Sequence, residues 1–400
     1  MTLRMFLGGA AVWMYLFAVG APLAATSSLP SGERVEAKSP AGKAAYNIKS
    51  EFQLGGATAP ENAQFYEKGS PTQIGADGAG NIYVLDGRGP RIQVFDAKGR
   101  FVTGFGKAGE GPGEFKMPGK LAVASDGRVA VFDMAASRIS IFDKTGKLLR
   151  DQLVATAVQD MTFDGNNFAV AFIVPGGVRI EEFDAQGKSL WHVVPEAAPA
   201  GGRMMVVEMD GETSSSRLAA GPQALYLATR DEYAVRRFAG GKVTNTWTRP
   251  FERQARPPMP TSSPNADGEG GNRMVIVQRR SDGGAAPTTE VQSSAHGDQI
   301  TLDAKDIERM MPKYRPDVRG LLAWPDGRLW VITAADEGSN MVTDEWSADG
   351  TWRARFNMPR YDRVALGADG RLYALSHDKD EYAVVHRLAV TAEDGRTVTP

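Results

Sequence analysis

The chain contains no cysteine. That absence excludes disulfides, thiolate chemistry, cysteine-ligated metals and lipid attachment through an N-terminal cysteine. Histidine is scarce, with His192, His296, His377 and His386 in four separate contexts. A zinc site without cysteine relies on three or four mostly histidine ligands, so this scatter speaks against zinc. A divalent metal held by carboxylates stays open, but no ligand loop specifies one and the metal remains unknown. The formal charge of −2 over 400 residues gives no electrostatic footprint for nucleic acid. There is no Gly-x-Ser-x-Gly elbow and no phosphate-loop signature, so the sequence offers no support for a hydrolase or nucleotide enzyme.

The conspicuous apolar run lies at the N-terminus. Arg4 is the only charge before residues 5–19, and Ala21, Ala24 and Ala25 follow as small residues suited to signal-peptidase cleavage. The run is shorter than the roughly 20 apolar residues of a membrane span. Residues 1–25 therefore read as a signal peptide, with an uncleaved anchor as the alternative. The expected product is periplasmic or secreted, monomeric and free of the membrane. Residues 26–45 are rich in Ser, Pro, Ala and Gly, and read as a flexible linker.

What the sequence has in abundance is glycine, 45 residues in all, together with a repeat. Ile82-Tyr83-Val84-Leu85-Asp86, Arg91-Ile92-Gln93-Val94-Phe95-Asp96 and Gly99-Arg100-Phe101-Val102 recur as Val129-Ala130-Val131-Phe132-Asp133, Arg138-Ile139-Ser140-Ile141-Phe142-Asp143 and Gly146-Lys147-Leu148-Leu149. With Gln73-Ile74-Gly75-Ala76 and Lys120-Leu121-Ala122-Val123 in front, each unit has four short β-prone runs, a to d, separated by Gly- and Asp-rich turns. Weaker copies follow around Phe168, Leu225, Leu329 and Leu372, giving six units. The last lacks a fourth run, whereas the first is preceded by a spare one at 46–54. Circular closure by this spare strand removes the exposed edges of an open array.

The stretch Gly104-Phe105-Gly106-Lys107-Ala108-Gly109-Glu110-Gly111-Pro112-Gly113-Glu114-Phe115, leading to Pro118, resembles the link between consecutive NHL repeats. The resemblance implies an all-β, six-bladed propeller of four-stranded antiparallel blades over 46–400, closed by the N-terminal strand. Such a scaffold serves binding more often than catalysis. Two insertions, 196–216 and 251–316, interrupt the period, both as d-to-a links. In this family such links emerge on one face, so both overhang one mouth of the channel. The second contains a strand-like run at 274–278 and a predicted helix at 303–311.

Aligning the units places Gln73, Lys120, Asp160, Arg217, Gly320 (beside Arg319) and Arg363 at the starts of the innermost strands. Lys120, Arg217, Arg319 and Arg363 form the candidate ligand site, because guanidinium groups suit carboxylate or phosphate. The bland alternative is that strand starts are polar because they meet water. Arg91, Arg138, Arg179 and Arg236 recur at the c-strand starts, which predicts a scaffold role such as pairing with Asp86 and Asp133.

The leading expectation is a non-catalytic recognition module for a peptide, glycan or small anionic ligand. A rival is a metal-dependent enzyme like the lactonase or peptidyl-amidating-lyase propellers. For that reading only His377, with Asp378 and Asp380 nearby, sits suitably. A third is a subunit whose outer blade edges pair with another exported protein.

Overall fold

Turn chemistry sets the strand lengths. At Asp96, Asp143 and Asp184 the side-chain Oδ1 accepts backbone N–H bonds from the residues two and four positions on, at 2.8–3.0 Å. Each turn ends in a glycine at positive φ, Gly99, Gly146 and Gly187. The aspartate thus closes the turn, and glycine takes the left-handed conformation that other residues resist. The d strand leaves directly after it.

A computed structural model of the chain describes residues 2–7, 10–20 and 29–399, apart from 31, 43, 67–71, 87–88, 175–176, 196–202, 209–216, 230–231, 257–273, 279–297 and 303–312. Six antiparallel meanders form the blades. Blade 1 comprises Gln73–Ala76, Ile82–Asp86, Arg91–Phe95 and Phe101–Phe105. Blade 2 comprises Pro118–Val123, Val129–Asp133, Arg138–Phe142 and Leu148–Leu153. Blade 3 comprises Val158–Asp164, Asn167–Val174, Gly177–Phe183 and Ser189–Val193. Blade 4 comprises Leu218–Gly221, Ala224–Ala228, Ala234–Ala239 and Lys242–Thr248. Blade 5 comprises Val318–Ala323, Leu329–Glu337, Asn340–Trp346 and Trp352–Pro359. Blade 6 comprises Arg363–Leu366, Leu372–His377 and Tyr382–Ala392, completed by Tyr46–Gly55.

The a strands touch one another in cyclic order, with that of blade 6 against that of blade 1, so they line the axis and the ring is closed. Closure runs through Tyr46–Gly55, antiparallel to Tyr382–Ala392 from Tyr46↔Ala392 to Gly55↔Val384. Tyr46 also reaches blade 5: its hydroxyl donates to Glu345, which accepts from Trp330 Nε1 at 2.9 Å as well. Burial and the neighbouring carboxylate push the Tyr46 hydroxyl up to about 12.

The blades pack through apolar faces. The c–d turn glycine of one blade receives a d-strand side chain of the blade before it: Gly99 faces Phe52, Gly146 faces Phe105, Gly241 faces Trp191 and Gly350 faces Trp247. Every d strand also carries one extra residue at the same place in its register: Val102, Leu149, Leu190, Thr244, Arg353 and Glu51. A bulge twists an edge strand and weakens its pairing with foreign strands.

The stretch read as a flexible linker is largely seated on the ring. Leu29 is buried between blades 3 and 4. Glu33–Glu36 adds a parallel fifth strand to blade 4, and Ala41 and Gly42 donate backbone bonds to Trp352 and Arg353 of blade 5. Its polar composition hides this role, because the pairing is made by backbone groups at a sheet edge rather than by apolar side chains.

Two small sheets lie outside the blades. One pairs Thr2–Leu7, Ala10–Gly20 and Arg203–Glu208, and the other pairs Met274–Gln278 with Asp298–Leu302. The expected helix at 303–311 lies outside the described residues. No helix among the described residues is long and apolar enough to cross a membrane.

Candidate ligand site at the channel mouth

In an antiparallel four-stranded meander the starts of a and c and the ends of b and d lie at one end. Both insertions leave from that end, so the mouth they adjoin is built from the a-strand starts and the b-to-c hairpins.

The b strands fix which residues are equivalent there. Leu85, Phe132, Ala171, Ala228, Ile332 and Leu375 occupy one position of the b strand. They face Gln73, Lys120, Asp160, Arg217, Gly320 and Arg363. Arg217 therefore stands at the level where the sequence alignment placed it, and its carbonyl accepts from Ala228 N at 2.9 Å. Blades 2, 3 and 5 insert a bulge residue just before this level: Gly119, Gln159 and Arg319. Arg319 is such a bulge residue.

The four candidate cations belong to two sectors of the mouth. In the sector of blades 2 to 4, the Asp160 carboxylate accepts backbone N–H bonds from Met161 (2.9 Å), Arg217 (2.6 Å) and Leu218 (3.1 Å). It thereby satisfies donors on the inner edge of the neighbouring blade's first strand. Burial raises its pKa, against the opposing pull of the Lys120 charge. Lys120, Asp160 and Arg217 are thus neighbours, with Arg217 contributing its backbone to this contact.

The second sector lies at blades 5 and 6. The b strand of blade 5 overruns its neighbours' length and carries Asp336 past the a-strand start. Arg319 pairs with Asp336 through both terminal nitrogens, at 2.9 and 3.2 Å, and donates to the Ala334 carbonyl at 2.9 Å. Arg360 reaches the same carboxylate at 3.3 Å and Arg315 at 3.5 Å. Three guanidinium groups thus share one carboxylate. Arg319 is buried, whereas Arg360 is more than a third exposed, at 37%. Arg363 opens the adjoining a strand, and its neighbour Asp362 pairs with His377 Nδ1 at 2.8 Å.

This cluster sits at the foot of insertion 251–316, whose two ends are clamped together. Arg256 N donates to Lys313 O at 3.1 Å and Arg315 N to Gln254 O at 2.9 Å, while Arg253 pairs with Asp317 at 3.0 Å. Below the neck, Arg249 and Asp344 form a fully buried ion pair. The guanidinium lies over Tyr233, Phe251 and Trp352, and Tyr233 Oη donates to Asp344 at 2.8 Å. Burial and the Asp344 charge hold the Tyr233 hydroxyl well above its ordinary value. The insertion thus leaves the ring from a fixed base.

The recurrent c-strand arginines serve the scaffold with varied acceptors. Arg91 pairs with Asp86 at 3.2 Å, as the repeat implies. Arg138 instead pairs with Asp151 at 3.1 Å and donates to the carbonyls of Gly111 and Glu114, pinning the glycine-rich link. Asp133 accepts backbone bonds from Lys116, Met117 and Ala136. Arg236 pairs with Glu232, and Arg179 with Glu181.

Sequence reasoning missed Asp336, Arg315 and Arg360. Their only signal was adjacency to the long link and to the a-strand starts. Among the described residues, no group of three or more histidine or carboxylate side chains is placed to hold a metal ion.

A family model described as a 6-bladed beta-propeller matches residues 69–172, which span blades 1 and 2 and the first half of blade 3. No curated protein matches the chain. Among solved structures, a protein of Bacteroides fragilis described as exported is similar at 9% identity and TM-score 0.47, covering 90% of this chain and 98% of its own. A DUF4221-family protein of Bacteroides vulgatus gives 12% and 0.45, with coverages of 86% and 98%. Virginiamycin B lyase of Staphylococcus aureus gives 13% and 0.42, with coverages of 86% and 99%. The chain is a six-bladed β-propeller of four-stranded antiparallel blades.

Proposed function

We propose that the protein is an exported, non-catalytic recognition module that binds an anionic ligand at the channel mouth. The observation that carries this reading is the gathering of Arg315, Arg319 and Arg360 on the single carboxylate of Asp336, at the clamped foot of the long insertion. A guanidinium presents its donors in a planar fork that matches carboxylate or phosphate, and three of them gather here at one place. Buried Arg319 fixes Asp336, and exposed Arg360 presents the charge. Arg363 on the next strand extends the cationic surface, and Lys120 and Arg217 supply a lesser sector opposite. The N-terminal leader supports export, and the rigid ring with loops at its mouth separates stability from recognition.

The test is titration of the mature protein with citrate and inorganic phosphate as probes, at low and at physiological salt. Saturable, salt-sensitive binding that Arg360→Ala and Arg363→Ala each weaken about tenfold, with the unfolding midpoint nearly unchanged, supports the reading. Binding that is absent at low salt, or indifferent to both substitutions, refutes it.

A further inference from the structure

We propose that the outer wall of blades 2 and 3 is a docking track for an extended polypeptide segment with the chemistry of the chain's own N-terminal arm. That chemistry is a short strand with aliphatic anchors beside carboxylates. The surface is separate from the channel mouth.

The arm shows how the wall is used. On blade 4, Glu33–Glu36 pairs with the part of the d strand that follows the bulge, starting at Asn245↔Glu33, and Ala37 N continues onto Thr248 O. On blade 5, Ala41 and Gly42 donate to the d strand. Aliphatic side chains anchor the arm in the clefts between blades. Leu29 is only 4% exposed, in a cluster with Val178 and Ile180 of the third blade's c strand and with Leu225, Leu227 and Phe238 of blade 4. Val35 packs against the core shared by blades 4 and 5.

The next cleft along, between blades 2 and 3, repeats that construction. It is an apolar groove lined by Ile139 and Ile141 of one c strand, by Phe168 and Phe172 of the next blade's b strand, and by Phe183 and Val154. Arg150 and Gln152 of the edge strand stand at its rim. These are the same strands, one blade earlier, that receive Leu29. Trp191 and Val193 of blade 3 pack against the cluster that holds Leu29, so the groove continues the arm's own track.

The edge beside the groove is built to be covered. Among the described strands Leu148–Leu153 is the last of its sheet, and Leu153 is 77% exposed. The bulge residues, equivalent by register, divide by sector. On the three walls that the N-terminal segment covers or forms they are Thr244, Arg353 and Glu51; on the other three they are Val102, Leu149 and Leu190, all exposed. Two residues before each apolar one stands a cation, Arg100, Lys147 or Lys188. Exposed aliphatics beside cations along an open edge match a strand whose anchors lie between carboxylates, as Val35 lies between Glu33 and Glu36.

The experiment uses the full mature chain and a labelled synthetic peptide of residues 29–37. Expected is saturable binding, with new amide-exchange protection over 148–154. Leu153→Asp should weaken it about tenfold or more, and Val102→Asp on blade 1 by no more than about twofold. Lack of saturable binding overturns the proposal. So does protection confined to 242–248, which marks exchange with the resident arm. Self-association of the protein alone, abolished by Leu153→Asp, also overturns it by assigning the wall to a second copy.

Discussion

Replacing Gly146 by alanine tests how the blades are locked together. Gly146 has φ +86, and an added Cβ would lie 2.5 Å from Phe105 of the preceding blade. Holding an L-residue in the left-handed region costs about 1–2 kcal/mol. Forcing a methyl group into a packed contact adds about 1–3 kcal/mol. Alanine recovers about 0.4–1 kcal/mol by stiffening the unfolded chain. The expected net loss is roughly 1–4.5 kcal/mol, centred near 3. Gly395 is the control: its φ is +80, but nothing lies within 4 Å of its added Cβ. Gly395→Ala should therefore lose only the backbone contribution, about 1 kcal/mol or less. Chemical denaturation of both variants isolates the interblade clash as their difference. In a Phe105→Gly background the Gly146→Ala loss should shrink to the Gly395→Ala value, because the ring and the Phe105 Cβ, 2.6 Å from the added methyl group, are both gone. Equal losses at the two glycines, or a loss at Gly146 that persists without the ring, would refute this account of blade packing.

Deleting residues 29–42 should lower the unfolding midpoint while leaving the mouth intact, since the arm buries Leu29 and caps two sheet edges; deletion of 46–55 should be far worse, because blade 6 loses its outer strand. Both are read by thermal denaturation and by near-ultraviolet circular dichroism. His386 sits between Ser50 of the closing strand and Ser376, at 3.0 and 2.7 Å, and burial holds its pKa below the usual imidazole value. The folded state then favours neutral imidazole, so this stability is full above the unfolded value of about 6.5 and is lost as pH falls toward the folded one. Midpoints measured from pH 7.5 to 5 should fall less steeply in His386→Asn. Arg319→Ala should destabilise measurably while Arg360→Ala should not, as buried and exposed partners of the same Asp336 carboxylate differ in desolvation.

The blades were legible because their signals are local. Asp96, Asp143 and Asp184 with their following glycines announce the c–d turns, and alternating apolar runs announce the strands. The closing strand was legible from its likeness to residues 101–106 and from the missing fourth run of the last unit. The arm was not, since Glu33-Arg34-Val35-Glu36 has one apolar residue and gains its place from a neighbour's free edge. At the mouth, the level of the a-strand starts was legible, Arg217 included, but the bulges at Gly119, Gln159 and Arg319 were not, because a short alignment cannot count an inserted residue. Asp336 was missed for a related reason. Its position depends on how far one hairpin overruns the others, which no short-range pattern encodes.

The pairing of Tyr46–Gly55 with Tyr382–Ala392 has a consequence for how the molecule comes into being. The strand made near the beginning finds its full partner only when residue 392 has been made. Until then the array of blades lacks its closing strand. Contacts of such sequence separation form slowly, and half-made sheets invite foreign strands. A chain truncated before the last blade is therefore a different kind of object from a shortened propeller, one whose first strand waits for a partner that never arrives.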